Sequence, residues 1–142
     1  MTDDPFDMQR FVDAQNPVIE RVRAELAAGR KASHWMWFVF PQIAGLGFSP
    51  TAVRYAIGSA DEAAAYLAHP VLGQRLREMT GLANRTRGRT AREVFGSPDD
   101  VKFRSSMTLF DHIAPDDVFG EALHRYFDGA PDPLTLDRLS AA

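Results

Sequence analysis

The chain has 142 residues, of which 45% are hydrophobic and 25% are charged, the balance of a soluble globular protein that can bury its own core. It has no cysteine, which excludes disulfides, thiolate metal sites and a cysteine nucleophile. The net charge of −3 argues against bulk nucleic-acid binding, and no apolar run is long enough to cross a membrane. Residues 1–4 are acidic and precede no apolar stretch, so we expect no signal peptide and a cytoplasmic protein.

Prolines mark the starts of most predicted helices. Many of them follow an Asp, Asn or Ser, whose side chain can cap the first turn, and proline itself suits the first helical position. Capping boxes at Ser59–Glu62 and Thr90–Glu93 indicate two further starts. Three glycines that follow apolar segments are the predicted stops: Gly29, Gly96 and Gly129.

These signals predict helices over most of the chain. The helices span residues 5–14, 17–28, 60–68, 70–84, 91–95, 98–113, 116–128 and 133–139, and residues 50–57 form a further short helix. Because no alternating strand pattern, repeat or linker is present, we predict one all-α domain over residues 5–140. It should have about eight short to medium helices and little or no sheet. Ala141 and Ala142 are expected to fray.

Helix 98–113 carries two polar residues, Lys102 and Ser106, on its apolar face. Burying an unpaired ammonium is prohibitive, so Lys102 must extend to solvent, find a carboxylate or face a polar cavity. A buried serine hydroxyl can instead bond a carbonyl one turn back. The side chains predicted to be mostly buried are Val22, Leu26, Trp35, Phe38, Phe40, Tyr66, Leu76, Met79, Phe103, Phe110, Leu123 and Tyr126.

The segment Lys31–Gln42 is the densest aromatic stretch and holds both tryptophans. A short apolar run fits a strand or a helix, and within an all-α domain we interpret it as a short buried helix. Core filling explains its apolar residues. The polar residues around the run, Lys31, His34 and Gln42, are typical of the rim of a ligand cleft. Two interpretations therefore stay open: a binding site, or structural aromatics with solvated ends.

Metal, cofactor and nucleic-acid sites have less support in the sequence. No pair among the four histidines has the spacing of helical metal ligands, and no complete dinucleotide fingerprint is present, so we predict neither a metal nor a cofactor. The basic stretch Arg85–Arg92 could grip phosphate, but a solvated loop is the simpler interpretation.

Several strings match a known family. Residues 34–38 read His-Trp-Met-Trp-Phe, residues 69–73 read His-Pro-Val-Leu-Gly, and residues 105–110 read Ser-Ser-Met-Thr-Leu-Phe. Through these motifs the chain resembles, over residues 5–127, the domain-of-unknown-function 1810 family, whose members are sometimes labelled calpastatin-like. The resemblance implies a compact all-α domain and no established activity. Calpastatins are disordered inhibitors, whereas this composition is that of a folded domain.

The first functional hypothesis is a small-ligand site. Trp35 and Trp37 would line a cleft that binds, and could turn over, a planar or phosphate- or sugar-bearing metabolite, an anionic small molecule. Because histidine exchanges protons near neutral pH, His34 is the candidate catalytic acid–base residue. It should lie near Lys102, with a tryptophan between them. The predicted polar contacts to the ligand are Lys31, Gln42, Lys102 and Ser106.

The second hypothesis is a non-catalytic protein-interaction module. In this case the aromatic segment builds a structural core and is partly exposed for a protein partner. Nucleic-acid binding through Arg85–Arg92 is a third possibility, which the acidic net charge disfavours.

Overall fold

The computed structural model describes residues 4–141 of the chain. The helices in this part are α1 (Gln9–Gln15), α2 (Ile19–Ala27), α3 (Met36–Val39), α4 (Pro50–Arg54), α5 (Ala60–Ala68), α6 (Leu72–Arg85), α7 (Ala91–Phe95), α8 (Asp99–Ile113), α9 (Val118–Phe127) and α10 (Pro133–Ala141). No β-strand occurs within residues 4–141, which confirms the all-α prediction. The expectations for positions 1–3 and for Ala142 lie outside the described residues.

Capping side chains place several helix starts where the sequence predicts them. Helices α5 and α7 have the predicted bounds. At α7 the capping box is complete, because Thr90 Oγ1 accepts from Glu93 N at 3.1 Å and Thr90 N donates to Glu93 Oε1 at 2.9 Å. At α5 only half of the box forms: Ser59 Oγ accepts from Glu62 N, but the Glu62 carboxylate accepts from Gly58 N and pairs with Arg10.

Five predicted helices begin later than expected: the starts predicted at residues 5, 17, 70, 98 and 116 lie at Gln9, Ile19, Leu72, Asp99 and Val118. Local hydrogen bonds explain the first two. The helix predicted from residue 5 begins at Gln9, because the Asp4 carboxylate accepts from the backbone N–H groups of Met8 and Gln9 and so caps a turn further along. The helix predicted from residue 17 begins at Ile19, because Val18 N donates to Gln15 O in a turn that joins α1 to α2.

The chain between α3 and α5 forms an irregular arm. Residues 31–42 contain one short helix, α3, as interpreted from the sequence. The helix predicted over 50–57 ends at Arg54, because the backbone of Ile57 pairs with the segment after α3. Ile57 N donates to Gln42 O, and Ala44 N donates to Ile57 O, both at 2.8 Å. This short pairing closes the arm into a loop that lies beside α8.

Helix α8 lies at the centre of the core and packs against α3, α5, α7, α9 and α10. Phe103 is fully buried, with its ring centroid 4.3 Å from that of Phe95 and 5.1 Å from that of Phe40. Most of the predicted core residues are buried, but Phe38 and Tyr126 are only partly so. No helix among residues 4–141 combines the length and apolar character needed to span a bilayer.

Candidate functional site

A cleft opens between the N-terminal turns of α8 and the arm that contains α4. Its inner part is narrow. The volume that the centre of a water molecule can occupy there is about 10 Å³, which is room for one water molecule. The outer part is wider, at about 350 Å³. Both parts are lined by Gln42, Gly47, Ala52 and Lys102, so they adjoin. We refer to the two parts together as the cleft.

Trp37, Gln42 and Lys102 are the predicted ligand-binding residues that the structure brings together here. All three line the inner part of the cleft, and Gln42 and Lys102 also line the outer part. Lys102 Nζ lies 5.1 Å from the centroid of the Trp37 ring. The nearest carboxylate is that of Asp99, whose Oδ1 is 3.7 Å from Lys102 Nζ. Lys102 therefore faces a cleft and has only a long contact with a counter-ion.

Lys31 belongs to the same charge network but does not line the cleft. Its Nζ lies 2.8 Å from Asp99 Oδ2 and donates to Ser33 O at 2.6 Å. The side chain is 7% exposed, and Nζ is 5.0 Å from the Trp35 ring centroid. The ammonium of Lys31 is therefore engaged by partners within the protein and does not face the cleft.

Trp35 is a core residue and not a wall of the cleft. It is 1% exposed, and its indole Nε1 donates to Glu25 Oε1 at 2.9 Å. This bond from α2 turns the ring inward, which agrees with the core prediction and leaves no face for a ligand. Of the two tryptophans, only Trp37 lines the cleft.

His34 and Ser106 also lie outside the cleft lining. His34 is exposed. Ser106 is fully buried one turn beyond Lys102, where α8 faces the core, and its hydroxyl has no hydrogen-bond partner among the described residues. The expected His34–Trp–Lys102 arrangement therefore does not form around this cleft.

The sequence interpretation missed two acidic residues that organise this region, Asp99 and Glu25. Asp99 joins Lys31 to Lys102, although its place in the first turn of α8 suggests only a favourable interaction with the helix dipole. Glu25 lies on α2, and nothing in its spacing predicts that it binds the segment around Trp35. Within residues 4–141 no group of three or more His, Asp or Glu side chains is placed to hold a metal ion.

Comparison with known proteins places the chain in a family. Residues 5–139 match the family described as "protein of unknown function (DUF1810)", and the chain belongs to it, which confirms the resemblance in the sequence motifs. More particularly, the chain is similar to the conserved hypothetical protein Rv1873 from Mycobacterium tuberculosis, known from a crystal structure at 1.38 Å. The two are 54% identical with a TM-score of 0.96, over 98% of this chain and 100% of the other. No protein with a curated description matches this chain.

Proposed function

We propose that the cleft binds a small planar anion, a flat ring that carries a carboxylate or phosphate group. The observation that carries the proposal is the position of Lys102, whose side chain lines the cleft and is 26% exposed, with its ammonium 3.7 Å from the Asp99 carboxylate. Asp99 is held more closely by Lys31, at 2.8 Å, so an incoming anion competes with a weakened contact at Lys102. An anion in direct contact with Lys102 would gain a charge-assisted hydrogen bond.

The rest of the cleft supports a ligand that also has an apolar body. Apolar side chains line its outer part, among them Leu46, Phe48 and Val101, while Gln42 and Ser49 supply amide and hydroxyl groups. Pockets for small molecules are mainly apolar with a few placed polar groups, and about 350 Å³ is at the small end of their range. The size therefore favours a compact ligand. The proposal covers binding and not turnover, because His34 does not line the cleft.

The test is a titration of the protein with charged rings and their neutral counterparts. The charged probes are AMP, UMP, indole-3-acetate and benzoate, and the neutral probes are adenosine and indole. Calorimetry with wild type, Lys102→Met and Arg89→Gln gives the affinities, with the last variant removing an exposed charge that does not line the cleft. We expect Lys102→Met to weaken binding of a charged probe by about tenfold or more, since a charge-assisted contact is lost.

Two further readouts complete this test. Lys102→Met should change the free energy of unfolding by less than about 1 kcal/mol, because the lysine makes one long ion pair and one cation–π contact. Mass spectrometry of extracts from the purified variants identifies any small molecule that only wild type and Arg89→Gln retain. Either of two outcomes contradicts the proposal. In the first, no charged probe binds and no retained molecule distinguishes the variants. In the second, Arg89→Gln weakens binding as much as Lys102→Met does.

A protein partner is the second candidate, and one observation favours it. Phe48 is 84% exposed and Val101 57% exposed, and both lie at the mouth of the cleft. Exposed apolar side chains next to each other are typical of interaction surfaces. Under this alternative, Phe48→Ser abolishes co-purification of a defined partner while Lys102→Met leaves it intact. Under the ligand proposal, Lys102→Met weakens binding of the small molecule more than Phe48→Ser does.

A further inference from the structure

A second pocket lies on another face of the protein, where the C-terminal end of α6 meets α9. It is lined by Asn84, Arg87, Glu121, His124 and Arg125, none of which lines the cleft, and its volume is about 320 Å³. Two of these residues, Arg87 and Arg125, carry guanidinium groups, and Arg87 comes from the basic stretch Arg85–Arg92.

The basic groups of this pocket have few partners. Arg125 Nε is buried without a hydrogen-bond partner in the described part of the chain. Arg87 donates one bond, from Nη1 to Asn84 O at 3.3 Å. Among residues 4–141, no carboxylate oxygen lies within 4.0 Å of a side-chain nitrogen of Arg87, His124 or Arg125. Guanidinium groups at a pocket are thus left without counter-ions.

A second, independent observation at this pocket is a buried polar atom of Asn84 that has no hydrogen-bond partner among the described residues. The residue is 6% exposed, and its amide nitrogen donates to Val118 O at 3.1 Å. Its Oδ1 has no partner in the described part of the chain. A buried polar atom without a partner costs free energy, so the wall of this pocket contains both an unused donor, at Arg125, and an unused acceptor.

We infer that this pocket binds the phosphate of a small phosphomonoester that also carries hydroxyl groups. Arg87 and Arg125 would hold the phosphate oxygens, for which the planar guanidinium is well suited. The hydroxyl groups would donate to the Glu121 carboxylate and, after a small side-chain adjustment, to Asn84 Oδ1. A nucleic-acid backbone fits less well, because Glu121 lies in the wall and the whole chain has a net charge of −3.

The experiment is calorimetry at fixed ionic strength with inorganic phosphate, glycerol 3-phosphate and a short single-stranded RNA. Arg125→Gln and Arg87→Gln remove the two proposed contacts. Arg89→Gln is the matched control for Arg87→Gln. It removes a guanidinium charge from the exposed loop that also contains Arg87, but Arg89 does not line the pocket. Lys102→Met tests independence from the cleft. Circular dichroism melting of each variant checks that it is folded.

We expect glycerol 3-phosphate to bind wild type more tightly than inorganic phosphate does. Arg125→Gln and Arg87→Gln should each weaken binding by about tenfold or more, since each removes a charge-assisted contact. Arg89→Gln and Lys102→Met should each change it by less than about twofold. If Arg125→Gln does not fold, the exposed Arg87→Gln still decides the outcome.

Three results would overturn the inference. The first is no binding of glycerol 3-phosphate to wild type, and the second is an equal loss of affinity in Arg87→Gln and Arg89→Gln. The third is tighter binding of the RNA, with loss of that binding in the same variants, which would assign the surface to nucleic acid. Because Lys102 is not involved, failure of this inference leaves the proposed function of the cleft untouched.

Discussion

Glu25 anchors the aromatic segment through a single carboxylate. Its Oε1 accepts from Ala32 N at 2.7 Å and from Ser33 N at 3.1 Å, its Oε2 accepts from Ser33 Oγ at 2.6 Å, and the Trp35 indole completes the set. Burial raises the pKa of Glu25, but the bonds from Ser33, Ala32 and Trp35 outweigh burial, so the pKa lies below its usual value. The ionised form therefore holds the segment before α3 against α2.

Replacing this carboxylate should destabilise the protein. Glu25→Gln keeps the size of the side chain but turns one acceptor oxygen into an NH₂ group that faces other donors. We expect a loss of about 1–3 kcal/mol in the free energy of unfolding, measured by urea denaturation at pH 7. Glu20→Gln is the control on the same helix: its side chain is 86% exposed, so its effect should stay within about 0.5 kcal/mol. Equal effects of the two variants would contradict the anchoring role.

The residues of the cleft show where sequence patterns stop being informative. Periodicity on α8 identifies Lys102 as a polar residue on an apolar face, and the edge of the aromatic run identifies Gln42. The separation of Lys31 and Trp35 from the cleft depends on Asp99 and Glu25, which belong to other elements. A local pattern holds no information on a partner that only tertiary packing brings near.

At the scale of elements, α8 connects the core to the cleft. Its buried face packs against helices on several sides, while Lys102 near its N-terminal end faces the arm. At the other side, Asp132 Oδ2 accepts from Ser105 Oγ at 2.8 Å and from Thr135 Oγ1 at 2.6 Å. This buried polar contact joins α8 to the start of α10, so one helix positions both the cleft and the C-terminal helix.

Phe110 tests the packing of α8. The side chain is fully buried, with its ring centroid 5.4 Å from that of Tyr66 and 5.7 Å from that of Phe119. Phe110→Ala should cost roughly 3–5 kcal/mol, because it removes a large apolar side chain from a packed site. Val101→Ala on the exposed face of the same helix should cost less than about 0.5 kcal/mol. Urea denaturation measures both, and a loss below about 1 kcal/mol for Phe110→Ala would mean that this site is not tightly packed.

Helix bounds were predictable where a nearby side chain determines them. The capping box of Thr90 and Glu93 lies within four residues, and α7 begins and ends as predicted. The end of α4 was not predictable, because it depends on backbone pairing between Ile57 and the segment at Gln42. That pairing has no side-chain signature in either strand-like segment, and it creates the arm that forms one side of the cleft.

At the scale of the whole molecule, carboxylates that accept hydrogen bonds in the folded state make stability depend on pH. Hydrogen bonding from Arg23 lowers the pKa of Glu78 against the effect of burial. Burial raises the pKa of Asp117, but bonds from Arg77 and from Val118 N outweigh it, and the pKa is lowered. Groups with a lowered pKa in the folded state contribute stability above their unfolded pKa, and this stability is lost as the pH falls through the folded pKa. Together with Glu25, they should make the protein less stable below about pH 4.

The pKa of Asp111 is shifted in the opposite direction, so this residue tests the predicted sign of the pH dependence of stability. Burial raises its pKa, the charge of Asp116 raises it further, and His112 opposes both. The carboxylate packs so close to Gly120 that a β-carbon there would lie 2.8 Å from Oδ1. Because the folded state holds this proton more tightly, Asp111 contributes stability at low pH that is lost as the pH rises through its raised pKa. Asp111→Asn, which is neutral at every pH, should therefore be more stable than wild type at pH 7.

The same variant should differ little from wild type at pH 3, where Asp111 is itself protonated. The stability of Asp111→Asn relative to that of wild type should therefore rise between pH 3 and pH 7. Urea denaturation at pH 3, 5 and 7 measures this difference. Asp137→Asn is the control, because that carboxylate is exposed on α10, and its effect should be small at all three values. A gain at pH 7 that persists undiminished at pH 3 would show that Asn packs better against Gly120, and that the partly buried charge of Asp111 is not the cause. A loss at pH 7 would show that the Asp111 carboxylate makes a favourable contact that outweighs its burial.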